Sequence, residues 1–473
     1  MLFSDLFFLY AFLPLCLILY FVCKNIHWKN AVLIVFSLIF YAWGEPLWIL
    51  LMIGSVTVNY FCGLLIDKFR DTKFSKLGVA LSLVVSLGLL VAFKYTGFIT
   101  ENLNAILPFD IPVPNISLPI GISFYTFQII SYILDAYWGK VRVQKNPFKF
   151  LMYVSLFPQL VAGPIVRYGV IEKEIDSRVS TAADISEGIT RFIVGLGKKV
   201  IIADNISKIV ISIFGSAEKG YTDISKISVL GVWYGIILVA LWYFFDFSGY
   251  SDMAIGLGRI FGFKFNENFN YPFISKNITE FWQRWHISLG SFFRDYLLYV
   301  PIFGKRRQYL SLFLVWFCTG LWHGASWNFI IWGLYFGIFI FIERKIGNKR
   351  MRKIPAVLSH IYALIVIVVG FGIFHFEDMS VLGNFFKSLV GLNGNGLVDV
   401  AIQTKFMNNI FLFGAAILFS MPVIPKIRKL LTEKFNTVAV SGMTEIICNV
   451  IILIASSIML VNTTDHPFLY FRF

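Results

Sequence analysis

Two histidines stand out as residues able to do chemistry. His323 lies in Leu321-Trp322-His323-Gly324-Ala325-Ser326-Trp327, inside the 35 residues from Gln308 to Ile342 that hold no Asp, Glu, Lys or Arg. An imidazole in such surroundings costs free energy unless it is hydrogen-bonded or faces a wet cavity, so it reads as a functional position. His286 lies 37 positions upstream, in Phe281-Trp282-Gln283-Arg284-Trp285-His286. Gly324 permits close backbone approach or a helix break, and Trp327 and Trp332 are expected to form an apolar wall. In that wall the neutral imidazole is favoured, the form that takes the proton from an alcohol attacking a thioester carbonyl. The competing reading makes His323 a structural group bonded to a carbonyl of a neighbouring helix. If residues 286–295 are helical, His286 and Arg294 share a face with Asp295 beside them. They would then position an acyl carrier, or else form an interfacial helix whose charges snorkel to headgroups. Residue types alone leave both pairs of readings open.

Other chemistries find less support. Cys16, Cys23, Cys62, Cys318 and Cys448 form no CxxC pair and nearly all lie in or beside apolar runs, which argues against a disulfide framework or zinc site. Cys318, five residues before His323, is read as packing rather than as a nucleophile. His27, His360, His375 and His466 are read as structural. No His-Glu-x-x-His, Gly-x-Ser-x-Gly or dinucleotide fingerprint occurs in a fitting context. The expectation is therefore no bound metal and no bound cofactor.

The elements that must position the histidines are membrane helices. The 473 residues are 58% hydrophobic and only 14% charged, well short of the charge a soluble domain carries, so the chain reads as an all-α, polytopic integral membrane protein. The net charge of +14 does not signal nucleic acid, because the basic residues cluster in short loops between apolar runs. Candidate spans are 6–23, 30–43, 47–66, 77–93, 119–137, 191–214, 228–249, 308–322, 327–342, 355–376, 407–422 and 442–462. Five alternate loops carry 20 Lys or Arg and the other five carry six. That alternation holds through about twelve spans with both termini extracytoplasmic. Leu6–Val22 reads as a first span rather than a cleaved signal. Residues 150–166, interrupted by Pro158 and Pro164, are expected to be a broken segment buried in protein. Residues 275–300 mix charges and aromatics and should lie at the interface or dip into a protein-lined cavity. Residues 377–406 should form a polar outer loop, and 1–473 a single domain.

Several separated segments carry a family resemblance. They are Pro119-Ile120-Gly121-Ile122-Ser123-Phe124-Tyr125-Thr126-Phe127-Gln128, Ala162-Gly163-Pro164-Ile165-Val166-Arg167-Tyr168, Asp246-Phe247-Ser248-Gly249-Tyr250-Ser251-Asp252, Phe269-Asn270-Tyr271-Pro272-Phe273, Thr279 through Leu289, Phe293-Arg294-Asp295-Tyr296, Gly320-Leu321-Trp322-His323-Gly324 and Pro467 through Phe473. With them the chain resembles the membrane-bound O-acyltransferases, in the bacterial branch of alginate and peptidoglycan O-acetylation proteins. The resemblance implies helices around a central tunnel open to both faces, with His323 essential and His286 completing the site. Trp285, Arg294, Asp295, Trp322 and Asn328 are the candidate substrate-contacting residues. It further implies an acetyl group from a cytoplasmic thioester, acetyl-CoA, passed toward hydroxyls of an exported polysaccharide with the help of an extracytoplasmic serine esterase-like partner. The setting would be the bacterial inner or plasma membrane. Two alternatives remain: D-alanyl transfer to teichoic acid, and a polysaccharide transporter or flippase.

Overall fold

A computed structural model describes residues 1–161, 163–299, 307–427, 429 and 438–461. Helices dominate, and among the described residues the strand pairing is one short antiparallel ribbon, Gly215–Ser216 against Gly220–Tyr221. The chain forms two compact units. Among the described residues one takes Met1–Phe192 and Tyr250–Glu267; the other takes Ile193–Gly249 and the residues from Asn268 to Val461.

In the first unit, helices Ile26–Gly44, Trp48–Lys68 and Lys73–Leu90 expose much of their apolar surface, as lipid-facing helices do. Helix Ile122–Tyr137 is instead buried on nearly every side, the signature of a core helix. Gly121 starts it at φ 76°, and a Cβ there would come within 2.9 Å of the Leu160 carbonyl oxygen, so only glycine fits. The expected break in 150–166 is present. Helix Pro147–Ser155 stops at Leu156, and a single turn, Phe157–Leu160, carries Pro158. This turn is wholly buried, with Phe157 packed among Phe3, Phe8, Phe12 and Phe40. Ala162, quoted for the resemblance, is outside the described residues.

The second unit holds both histidines. Helices Gln308–His323 and Trp327–Ile346 form a hairpin joined by Gly324, Ala325 and Ser326. Their contact is set by glycines: a Cβ on Gly320 would meet the Phe329 carbonyl oxygen at 2.2 Å, and one on Gly333 the Trp316 carbonyl oxygen at 2.3 Å. Glu343, buried near the far end of the hairpin, accepts from the backbone N–H of Ile278 (2.6 Å) and Thr279 (2.9 Å), from the Thr279 hydroxyl (2.6 Å) and from the Tyr362 hydroxyl (3.1 Å). A carboxylate at a helix start satisfies otherwise orphaned donors, so Glu343 fixes helix Ile278–Arg284 against the hairpin.

All twelve predicted spans fall on helical stretches. Among the described residues six helices are long and apolar enough to cross a membrane, or seven if the pair Val400–Asn408 and Ile410–Phe419, bent by 62°, counts as one. Residues 377–406 depart from a plain loop, since they contain helices Met379–Leu389 and Val400–Asn408. Asp378 caps the first, its carboxylate held below the ordinary range by the Ser380 hydroxyl and the N–H groups of Val381 and Ser380.

Candidate functional site

His323 is the last residue of its helix. Gly324 follows in extended backbone, φ −168°, so the chain leaves the helix at the imidazole. The His323 side chain is 3% exposed and walled by aromatic rings: Trp322 at 4.9 Å, Trp332 at 4.8 Å and Phe374 at 5.2 Å between centroids. Trp332 comes from the second arm of the hairpin and Phe374 from helix Ala356–His375. Asn328 secures that last contact. Its amide donates to the carbonyls of Phe374 (3.1 Å) and Ile373 (3.4 Å), tying the end of one helix to the start of another.

His286 does not lie within a helix, which corrects the expected shared face with Arg294. It sits in the left-handed region (φ 46°, ψ 53°) between helices Ile278–Arg284 and Ile287–Phe293, a conformation that is unusual for a non-glycine residue. The physical reason is Asn268. Its Oδ1 accepts from the Ser288 backbone N–H (3.2 Å), from the Ser288 hydroxyl (2.9 Å) and from His286 Nδ1 (3.1 Å). The backbone N–H can only donate, so Oδ1 is the acceptor and His286 Nδ1 carries the hydrogen. Nε2 then holds the lone pair. Phe247 packs edge-on against this ring at 4.6 Å.

One indole joins the two histidines. Trp322 lies 4.9 Å from His323 and 5.8 Å from His286, and all three side chains are buried. The other predicted contacts divide. Trp285 is buried against Phe281, Phe269 and Phe371, and Phe269 also touches Phe247, so Trp285 stands one ring behind the His286 wall. Arg294 is exposed and donates to Asp295 at 2.7 Å. Asn328 is buried, with its amide N–H groups committed to the helix end. Trp327, expected in the wall, is half exposed, because it begins its helix while Trp332 sits deeper along the hairpin. Cys318 is five helical positions from His323, roughly 140° around the helix, and does not share its face.

Sequence reading missed two features. Asn268 was overlooked because its partners are 18 and 20 residues away; its only signal was its place just before Phe269-Asn270-Tyr271-Pro272. The second is a buried charge cluster. Lys199 is fully buried and its Nζ sits 2.6 Å from Asp246 Oδ1 and 2.8 Å from Asp204 Oδ1. Lys199 belongs to a π-helical turn, Lys198–Ala203, a distortion often found at functional sites. Asp246 directly precedes Phe247, so the cluster pins the backbone that carries a wall residue of His286. Charges inside two consecutive apolar segments were the available signal.

The arrangement offers two buried imidazoles against one indole in an aromatic cluster, with the tautomer of one fixed. It can accept a proton from a hydroxyl and return it to a leaving group.

Comparison with known proteins gives a consistent result. The profile of the membrane-bound O-acyltransferase family matches residues 3–383. The chain is 37% identical over 450 residues to "Probable alginate O-acetylase AlgI" of Pseudomonas aeruginosa, covering 91% of this chain and 84% of that one. It is 35% identical over 511 residues to the protein of the same name in Azotobacter vinelandii, with both chains covered in full. To the "Peptidoglycan O-acetyltransferase" of Helicobacter pylori it is 33% identical over 449 residues, 87% of this chain and 84% of that one. The Pro467–Phe473 motif and His466 lie outside the described residues.

Proposed function

We propose, because this chain belongs to the membrane-bound O-acyltransferase family and is an acyltransferase, that it moves an acetyl group from a cytoplasmic thioester toward hydroxyls of an exported cell-surface polysaccharide. The observation that carries the reading is the single buried indole of Trp322 in contact with both His286 and His323. His323 acts as general base: it takes the hydroxyl proton as the oxygen attacks the thioester carbonyl. The C–O bond forms, the C–S bond breaks, and the departing thiolate takes the proton back from the imidazolium. The sum is thioester plus alcohol giving ester plus thiol. His286, with a lone pair on Nε2, accepts a hydrogen bond from the incoming hydroxyl or its relay. The aromatic cluster excludes water, which would otherwise hydrolyse the thioester.

The same reading takes acetyl-CoA as donor, twelve spans with both termini extracytoplasmic, one domain, and an esterase-like partner outside the membrane that completes transfer to the glycan. Names of relatives support a polysaccharide or peptidoglycan acceptor. The test is His323→Ala in a strain that exports the glycan. Acetylation is lost while polymer export continues. Export lost with acetylation intact would make the chain a transporter, and acetylation intact with export unchanged would make it a scaffold.

A further inference from the structure

Acyl transfer through a tetrahedral intermediate needs donors aimed at the carbonyl oxygen as it becomes negative, and these commonly supply the largest electrostatic share of catalysis. The aromatic cluster at His323 contains two such donors, one in its wall and one a ring behind it. The indole nitrogens of Trp332 and Trp282 are both shielded from solvent, and among the described residues neither has a hydrogen-bond partner. That is unusual, since buried tryptophan N–H groups ordinarily find an acceptor and an orphan donor costs about 1–3 kcal/mol. In the same unit Trp233 follows the rule, donating to the Leu389 carbonyl at 3.2 Å. The orphans are also adjacent. The Trp332 ring is 4.8 Å from His323 at 84°, and the Trp282 ring is 5.5 Å from Trp332 at 79°. Phe336 packs against both, at 5.4 and 5.1 Å, so the two indoles are held by one aromatic neighbour.

We propose that the indole N–H groups of Trp332 and Trp282 are the oxyanion-stabilising donors of this site, receiving the thioester carbonyl oxygen when the acceptor hydroxyl adds to the carbonyl carbon. This rests on the acyltransferase reading above. As the C–O bond forms, the carbonyl π pair moves onto oxygen and the hydroxyl proton goes to His323. The two N–H groups hold that oxyanion until the C–S bond breaks, the pair returns to carbon and the thiolate recovers the proton. An N–H without a partner in the resting protein loses no bond on binding the oxyanion, so its contribution is concentrated in the transition state.

The test uses the full-length protein in proteoliposomes, with acetyl-CoA as donor, a soluble polysaccharide supplying the acceptor hydroxyls, and thiol release as readout. Trp332→Phe keeps an aromatic ring and removes the N–H. Replacement of Trp332 by benzothienylalanine keeps the bicyclic shape as well and guards against misfolding of the phenylalanine variant. Both are expected to lower kcat roughly 10²-fold, with KM for acetyl-CoA unchanged within about twofold. Trp282→Phe should act in the same direction, and Trp316→Phe, a packing neighbour of Trp282, should leave kcat within about threefold. Benzothienylalanine at 332 with wild-type kcat overturns the proposal, and so does a loss confined to KM. His323→Ala run in parallel separates the two layers. Thiol release abolished by His323→Ala but untouched at 332 sinks only the oxyanion donors, whereas wild-type release from His323→Ala sinks the acyl-transfer reading and the donors with it.

Discussion

Replacing Asn268 with Ala should cripple the site while leaving the rest of the protein folded. Asn268 Oδ1 is the common acceptor for the Ser288 N–H, the Ser288 hydroxyl and His286 Nδ1. The hydroxyl can turn to another acceptor, but the backbone N–H and the ring N–H are buried and lose theirs. Each orphaned donor costs about 1–3 kcal/mol, giving about 2–6 kcal/mol in total. The left-handed backbone of His286, itself worth about 1–3 kcal/mol of strain, then keeps only backbone bonds, from the Ile287 N–H to the Asn268 carbonyl and from the Gly290 N–H to its own carbonyl. If about 3 kcal/mol of this falls on the site-competent conformation, that conformation is depopulated by roughly 150-fold, and kcat/KM falls with it. The assay is the initial rate of labelled acetyl transfer into isolated glycan by membranes, normalised to the amount of folded protein. Asn268→Asp keeps the acceptor oxygen and should recover at least tenfold over Asn268→Ala. A rate for Asn268→Ala within about threefold of wild type would refute the reasoning. Equal losses for Ala and Asp, with no recovery, would show that the amide acts through its N–H groups and not through Oδ1.

Other expectations follow from the same contacts. Lys199→Met leaves two carboxylates buried without their cation and should cost about 3–5 kcal/mol, read as loss of monodisperse protein. The triple change Lys199→Met, Asp204→Asn, Asp246→Asn should restore folding. Gly320→Ala puts a methyl against the Phe329 carbonyl and forces the hairpin apart; both thermal stability and acetyl transfer should drop, and an unchanged melting temperature would contradict the close packing. Trp327→Ala should change transfer by less than about threefold, whereas Trp332→Ala should reduce it well beyond that, because Trp332 is buried against the His323 ring and Trp327 is half exposed. Asp378 ionises more readily in the folded protein than in the unfolded chain, so its cap is complete above the ordinary carboxylate range and is lost as pH falls through its lower folded value. Hydrogen-exchange protection of Met379–Leu389 should therefore stay flat at neutral pH and decline only on acidification below that range.

The hairpin that ends at His323 was legible in the sequence because a charge-free apolar run interrupted by Gly324 has few other ways to fold. The break near Pro158 was legible for the same kind of reason, a residue that cannot continue a helix. What escaped was set by contacts distant along the chain. His286 reads as helical from its neighbours, yet Asn268, from a preceding loop, draws it into the left-handed region. Trp327 and Trp332 are alike in composition and differ only in depth along one helix, which no local pattern encodes. Asp246 was hidden as the single charge of an apolar stretch, and Lys199 among several charges of the stretch before it, where nothing local marks which one is buried.

The Lys199 cluster also bears on how the chain enters its membrane. A lysine or aspartate at the centre of a lone inserted helix carries a penalty of about 2.5–3.5 kcal/mol at the translocon. Helix Val229–Ile260 is long and apolar enough to insert by itself, whereas the stretch before it, with Lys198, Lys199 and Asp204, does not qualify as a single span. The tight ribbon at Gly215–Tyr221 keeps the two segments close in the chain. Entry of the two segments as a pair would let Asp246 meet Lys199 and offset both penalties, which neither segment can do alone.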